Sequence, residues 1–218
     1  MSDTENIFVA CQKGDLSVVK SKNINTKNVS GWTPLMVASR YGRLNVVEYL
    51  LSEKVDPNIK NKYGWTALMY ASQSGFSSVV ISLINHGAII DLQNEQGHSA
   101  LHHAVNNGEN NVVIDLLSRN ANPNLKTKSG RTPLMAAAEY NYSYILYSLI
   151  IHGAKVNELD SNMDTALTLA ATDNCIECVR ILKDRGASMD AKNRYGGTVE
   201  NIAEQYGYEK IMELVKGK

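Results

Sequence analysis

Apolar residues recur along this chain as adjacent pairs one helical turn apart. Val46, Val47, Leu50 and Leu51 form one such set. Val79, Val80, Leu83 and Ile84 form the next. Val112, Val113, Leu116 and Leu117 follow, then Ile145, Leu146, Leu149 and Ile150. The i, i+1, i+4, i+5 spacing paints one face of a helix. Consecutive sets lie 33 residues apart, and the segments between them keep the same step. Gly31-Trp32-Thr33-Pro34-Leu35 returns as Gly64-Trp65-Thr66-Ala67-Leu68, Gly97-His98-Ser99-Ala100-Leu101 and Gly130-Arg131-Thr132-Pro133-Leu134. Met163-Asp164-Thr165-Ala166-Leu167 and Gly196-Gly197-Thr198-Val199 complete the series without insertion or deletion. A fixed period of this length means a stack of supersecondary units, each unable to bury its apolar face alone.

The ruler predicts two helices per unit. Thr33, Thr66, Ser99, Thr132, Thr165 and Thr198 stand where a first helix starts. Their hydroxyls can accept from backbone N–H groups two or three residues on. Pro34 and Pro133 follow at the first helical position, where proline is tolerated. Ala38, Ala71, Ala104, Ala137, Ala170 and Ala203 come one turn later and let neighbouring helices approach. Gly42, Gly75, Gly108 and Gly207 end the first helix. Asn141 and Asn174 replace glycine there, as the residue that next best tolerates a left-handed backbone. The apolar set then forms a second helix, closed by Gly87, Gly153 and Gly186. Pro57 and Pro123 fall in the turn-rich link to the next unit. Met163 takes the place of a turn glycine, so a finger distorted there, or leaning on Asn162, is expected.

Both ends leave the ruler. Gly14 to Gly42 is a step of 28 residues, so a shortened second helix or loop is expected at 21–25. The last unit sets Glu200, Asn201, Lys210, Glu213 and Lys216 among its apolar positions, as suits a solvated end. The organisation expected is one domain, 1–218. It divides into a shortened cap (1–27), repeats at 28–60, 61–93, 94–126, 127–159 and 160–192, and a closing cap (193–218). The two atypical ends make the chain read as close to a complete domain.

Composition narrows the picture. The chain has 218 residues, with 22 Lys plus Arg against 22 Asp plus Glu. Zero net charge argues against a general nucleic-acid or anionic-membrane binder. No apolar run approaches the length of a membrane span. The first residues lack a basic start followed by an apolar core, so they do not read as a secretory signal. Three cysteines are too few for a disulfide framework, and a reducing cytoplasmic or nuclear location is the default.

Gly-x-Thr-Pro-Leu-x-x-Ala at a 33-residue period resembles the ankyrin-repeat family over nearly the whole chain. The resemblance implies an all-α repeat solenoid. Each unit would be an antiparallel helix pair with a projecting β-hairpin-like finger. Fingers and first helices would form a concave face.

Little in the chain points to chemistry. No GxxxxGK[ST] or GxGxxG phosphate loop is present. Cys175 and Cys178 form a CxxC without two further ligands at matching spacing. Cys178 falls on a core position and Cys175 in the interhelix turn. Cys11 reads as a small core hydrophobe. His98 and His102 are four apart, with His103 adjacent, a spacing open to metal or catalysis. But Ser99 is the expected N-cap, which leaves His98 on the finger. His102 falls where the family has the histidine of its Thr-Pro-Leu-His motif, a structural hydrogen bonder. Met36, Met69, Met135 and Thr168 hold that place in other units, which weakens the polar network or replaces it with apolar packing. No nucleophile–base pair comes together, so a non-enzymatic protein is expected, with no cofactor.

The function expected is protein–protein interaction, as adaptor, scaffold or inhibitor, through the concave face. The partner is one or more proteins, and the chain itself is expected to be monomeric. In the family, finger tips and the exposed side of the first helix vary for binding. Carried onto this sequence, those positions include Trp32, Arg40, Tyr41, Lys62, Tyr63, Trp65, Gln73, His98, Arg131, Tyr140, Asp164, Asp173 and Tyr195. Both tryptophans hold the same finger position in adjacent repeats. They read equally as a binding patch and as rings that stabilise the stack. Charge drifts from Arg40, Lys60 and Lys62 to Asp160, Asp164 and Asp173. Tyr142 and Tyr144, read as interhelix residues near Tyr140 and Tyr147, suggest a second patch on the back. Two alternatives stay open. One is a structural or self-associating spacer. The other is an enzyme or metal protein using His98/His102 or Cys175/Cys178.

Overall fold

The computed structural model describes residues 3–217. Met1, Ser2 and Lys218, assigned above to the two caps, lie outside the described residues. The described chain is helical, without a strand. Helices α1 (Asp3–Lys13) and α2 (Leu16–Lys20) open it. Pairs follow as α3 (Pro34–Arg40) with α4 (Leu44–Ser52), α5 (Ala67–Gln73) with α6 (Ser77–Asn85), and α7 (Ala100–Asn106) with α8 (Asn110–Ser118). Then come α9 (Pro133–Glu139) with α10 (Ser143–Ile151), α11 (Ala166–Thr172) with α12 (Ile176–Asp184), and α13 (Val199–Tyr206) with α14 (Glu209–Lys216). Among these helices none is long and apolar enough to cross a membrane.

Packing divides the chain into two compact units, one ending at Ala121 and one beginning at Asn122. In the first, α1, α3, α5 and α7 pack in sequence, and α2, α4, α6 and α8 form a second row. Val46, Val47, Leu50, Val79, Val80 and Leu83 fill the space between rows and are wholly buried. Each such side chain stabilises the stack by about 1.5–3 kcal/mol. In the second unit, α9, α11 and α13 form one row and α10, α12 and α14 the other. Helix α2 has 5 residues where α4 has 9.

Local chemistry starts each first helix. The hydroxyls of Thr33, Thr66, Ser99, Thr132, Thr165 and Thr198 accept from the N–H three residues on. In five of these six the fourth residue of the box returns the bond, the exception being Met69. His102 Nδ1 accepts from Ser99 N–H at 3.2 Å, and Thr168 Oγ1 from Thr165 N–H at 2.9 Å. At two of the three methionines sulfur takes over. Met36 Sδ accepts from Thr33 N–H at 3.5 Å and Met135 Sδ from Thr132 N–H at 3.4 Å. The polar network is therefore kept with a weaker acceptor in these repeats.

The fingers are turns, not hairpins of strands. Asn61 N–H donates to Trp65 O at 3.0 Å, and Gly64 N–H to Asn61 O at 3.0 Å. The Asn61 side chain accepts from Tyr63 and Trp65 N–H at 2.9 and 3.0 Å. Asn28, Asn94, Asp160 and Asn193 repeat this side-chain turn. It is the Asx device by which a short polar side chain folds its own backbone. Adjacent fingers are then joined by one backbone bond: Lys62 N–H to Ser30 O at 3.1 Å, and Glu95 N–H to Tyr63 O at 3.1 Å. Ser161 to Ser129 and Arg194 to Asn162 do the same in the second unit.

Met163 corrects an expectation. It adopts the left-handed conformation itself, at φ 62°, and its N–H still donates to Asp160 O at 3.0 Å. The finger is undistorted. Asn162 is spared because Asp160 already fixes the turn. Met163 is 48% exposed, so packing does not repay its strain of roughly 1–2 kcal/mol. Met163→Gly is expected to leave stability unchanged or raise it by up to about 1 kcal/mol in a denaturant titration. A clear loss would show that the thioether packs.

The cysteines add a feature beside the places expected for them. Cys175 and Cys178 are joined in a disulfide, with Cα atoms 5.2 Å apart. Cys175 caps α12 and Cys178 lies in its first turn, so a single helical turn brings them together. Cys11 is buried, and burial pushes its thiol up to about 12.

Candidate functional site

In the first unit the two tryptophans belong to one continuous stack. Trp32 lies 4.2 Å from Tyr70, ring centre to ring centre, and Trp65 lies 4.7 Å from the same ring. Trp65 meets His103 on its other side at 3.9 Å, and His98 follows at 5.4 Å from His103. The Arg40 guanidinium covers the opposite end, 5.4 Å from Trp32 and 6.0 Å from Tyr70. Finger rings thus alternate with rings from the first helices α5 and α7. Such pairs contribute about 0.5–1.5 kcal/mol each beyond their buried area.

The finger asparagines anchor the helix rings. Asn61 Nδ2 donates to Tyr70 Oη at 2.8 Å. Asn94 Nδ2 stands 3.3 Å from His103 Nε2, nine residues on in both cases. With Asn94 as donor, His103 Nε2 accepts, so the imidazole is neutral. Burial, followed by the His98 and His102 charges, pushes its pKa down to about 3. Burial lowers His98 as well.

This has a consequence for stability. An unfolded histidine titrates near ~6.5. Below that pH the unfolded chain takes up a proton that folded His103 refuses. The stabilisation is complete above the unfolded pKa and is lost as pH falls from there towards 3. The midpoint of thermal unfolding is expected to fall between pH 7 and 5, and to fall less in His103→Tyr, which copies Tyr70. An equal fall in both proteins would place the effect elsewhere.

Tyr70 and His103 were missed as site residues in the sequence. The signal was available. They hold the ruler position of Val37, Ala136, Leu169 and Ile202, an aliphatic slot in the other first helices.

The other expected residues separate by unit. In the first, Tyr41 caps the C-terminus of α3 and is 39% exposed, while Tyr63 at a finger tip is 56% exposed. Lys62 beside it is exposed, and Gln73 is half-buried at the end of α5. Trp32, Trp65 and His98 are half-buried within the stack. Lys60 is turned away, its ammonium donating to Gln93 O at 2.8 Å.

In the second unit, Arg131 pairs with Glu139 across the first helix α9. Asp173, at the end of α11, is held above the usual carboxylate range by burial and then by Glu139, with Arg131 opposing. Asp164 accepts from Thr168 Oγ1 at 3.1 Å. Tyr195 is 86% exposed on its finger. Asp160 is not a surface charge. It is buried and spends Oδ1 on its own turn. Tyr140 is exposed at the end of α9, its ring 6.0 Å from Tyr142. Tyr144 is no interhelix residue. It lies within α10, where Tyr144, Tyr147 and Ile151 are exposed at i, i+3 and i+7.

Known proteins share this architecture. A family model described as "Ankyrin repeats (3 copies)" matches residues 7–94, 77–160 and 134–218. The crystal structure of the ankyrin repeat domain of Bcl-3, from the IkappaB protein family, superposes with a TM-score of 0.85. It is 26% identical, over 97% of this chain and 98% of that one. The human ASB11 ankyrin repeat domain superposes with a TM-score of 0.87, at the same 26% identity and coverage of 97% and 98%. No curated protein sequence matches the chain. By the family matches, and by helix pairs and capped turns that recur with the 33-residue period, the chain belongs to the ankyrin-repeat family.

Proposed function

We propose that this chain binds a partner protein, as an adaptor, scaffold or inhibitor, on the concave face its fingers and first helices form. Ankyrin repeat domains generally mediate protein–protein interaction, and the family is one of non-enzymatic interaction modules. The observation that carries the reading is the ring stack in the first unit. Trp32, Tyr70 and Trp65 clamp neighbouring fingers to the helices. The exposed side chains at its edge are Arg40, Tyr41, Lys62 and Tyr63. A face held rigid before binding loses less entropy on association. Aromatic and arginine side chains are the types that dominate binding energy. The tryptophans themselves hold the face, and the rim makes the contact.

The test is affinity capture from a lysate of the native source with the wild type and with Tyr41→Ser/Tyr63→Ser. Both tyrosines are exposed, so circular dichroism should show the variant folded. Loss of a captured protein supports the reading. Unchanged capture removes the rim from it.

A second reading, self-association, has its own observation. The stripe Tyr144, Tyr147 and Ile151 on α10 is apolar, whereas α4 carries Asn45, Glu48 and Ser52 at the same ruler positions. Sedimentation of the wild type against Tyr144→Ser/Tyr147→Ser tests it. A concentration-dependent mass lost in the variant supports self-association.

A further inference from the structure

The finger position filled by Trp32 and Trp65 is Gly197 in the last finger. The helix position filled by Tyr70 and His103 is Leu169 in α11 and Ile202 in α13. Rings are missing on both sides, and the space stays open. A cleft of about 430 Å³ runs there among the finger, α11 and α13. Leu169 and Ile202, both buried, form its apolar lining. Asp164, Gln205 and the exposed rings of Tyr195 and Tyr206 stand around it.

Charge decides what fits. Asp164 has no ion-pair partner among the described residues, and Asp173 caps the same helix α11. The first unit shows what such a place accepts. Arg40, at the ruler position of Gln205, lays its guanidinium over Trp32 and Tyr70. In the last repeat the chain supplies no such cation at that position.

We propose that this cleft receives an arginine side chain of the bound partner, with its guanidinium between the Asp164 carboxylate and the tyrosine rings. The methylene stem would lie on Leu169 and Ile202. A planar guanidinium can stack on a ring and fork to a carboxylate at once, which an ammonium cannot. The inference rests on the reading that this face binds protein.

The test uses the full chain and a short probe, acetyl-Gly-Arg-Gly-amide, titrated while backbone amide resonances are followed by NMR. Saturable shifts are expected at Tyr195, Gly197 and Gln205. The peptide with glutamine in place of arginine should give none. Asp164→Asn keeps an oxygen for Thr168 and should weaken binding about three- to fivefold. Gly197→Trp, which copies Trp32 and Trp65, should fill the cleft and abolish the shifts. Its added Cβ meets Asn193 Oδ1 at 3.3 Å, and Gly197 does not need the left-handed region, so the variant is expected to fold. Equal response to the glutamine peptide, no effect of Asp164→Asn, or persistence in a folded Gly197→Trp would each overturn the proposal. A silent cleft in a chain that still captures a partner through Tyr41 and Tyr63 refutes the arginine site alone. A responding cleft in a chain that captures nothing refutes the recognition reading instead.

Discussion

Tyr70→Ala is expected to cost about 3–5 kcal/mol, as large aromatic truncations in cores do. The phenol ring sits between two tryptophans, so its loss breaks the stack in the middle. It also leaves Asn61 Nδ2, itself buried, without its 2.8 Å acceptor. Tyr70→Phe isolates that second part. The ring stays and the hydroxyl goes, for an expected loss of about 1–2 kcal/mol. Chemical denaturation of the three proteins checks both numbers. A loss below about 1.5 kcal/mol for Tyr70→Ala would mean that the tryptophans hold the fingers without it.

Gly64→Ala is expected to be nearly as damaging, for a different reason. Gly64 sits in the finger turn at φ 77°, where an alanine costs roughly 1–2 kcal/mol. Its added Cβ would also stand 2.8 Å from Glu95 N and 3.0 Å from Asn94 Cα. Both are backbone atoms of the next finger, tied to this one through Tyr63 O and unable to swing aside. The total expected is about 2–4 kcal/mol. Gly87→Ala is the control. Gly87 has φ 88° with nothing within 4 Å of the new Cβ, so only the backbone cost of about 1 kcal/mol remains. Equal losses for Gly64→Ala and Gly87→Ala would show that the fingers separate freely.

The fold was legible because each unit repeats the same local chemistry. Thr33 and its copies cap helices, Gly42 and its copies end them, and Val46 with its copies fill the space between. These are short-range effects, readable from residue type and spacing. Six repetitions at 33 residues remove the ambiguity of any one. The finger geometry was less legible. Asn28, Asn61, Asn94, Asp160 and Asn193 fold their own turns through side-chain oxygens, and this spares Met163 a glycine's job without distortion. An expectation built on glycine alone overlooked that second device.

The site was half legible. Trp32, Trp65 and Arg40 were read from the finger and helix positions, and the structure joins them in one stack. Tyr70 and His103 were overlooked because first-helix positions one turn after the cap read as core. They are core, and they touch the finger of the preceding repeat as well, a contact that no single repeat displays. Asp160 failed as a free surface charge, and Arg131 proves to be paired, for a related reason. Glu139, at the far end of α9, pairs with Arg131, and the Asp160 carboxylate is consumed by its own backbone. Formal charge counts neither pairing.

The most direct measurement of the central claim is quantitative affinity capture from the native source with three proteins: the wild type, the rim variant Tyr41→Ser/Tyr63→Ser, and the α10 variant Tyr144→Ser/Tyr147→Ser. All three should melt within a few degrees of one another, since every substituted ring is exposed. The account predicts a protein retained by the wild type and by the α10 variant and lost with the rim variant. Capture that survives the rim variant and disappears with the α10 variant would contradict it, and would move recognition to the outer helices.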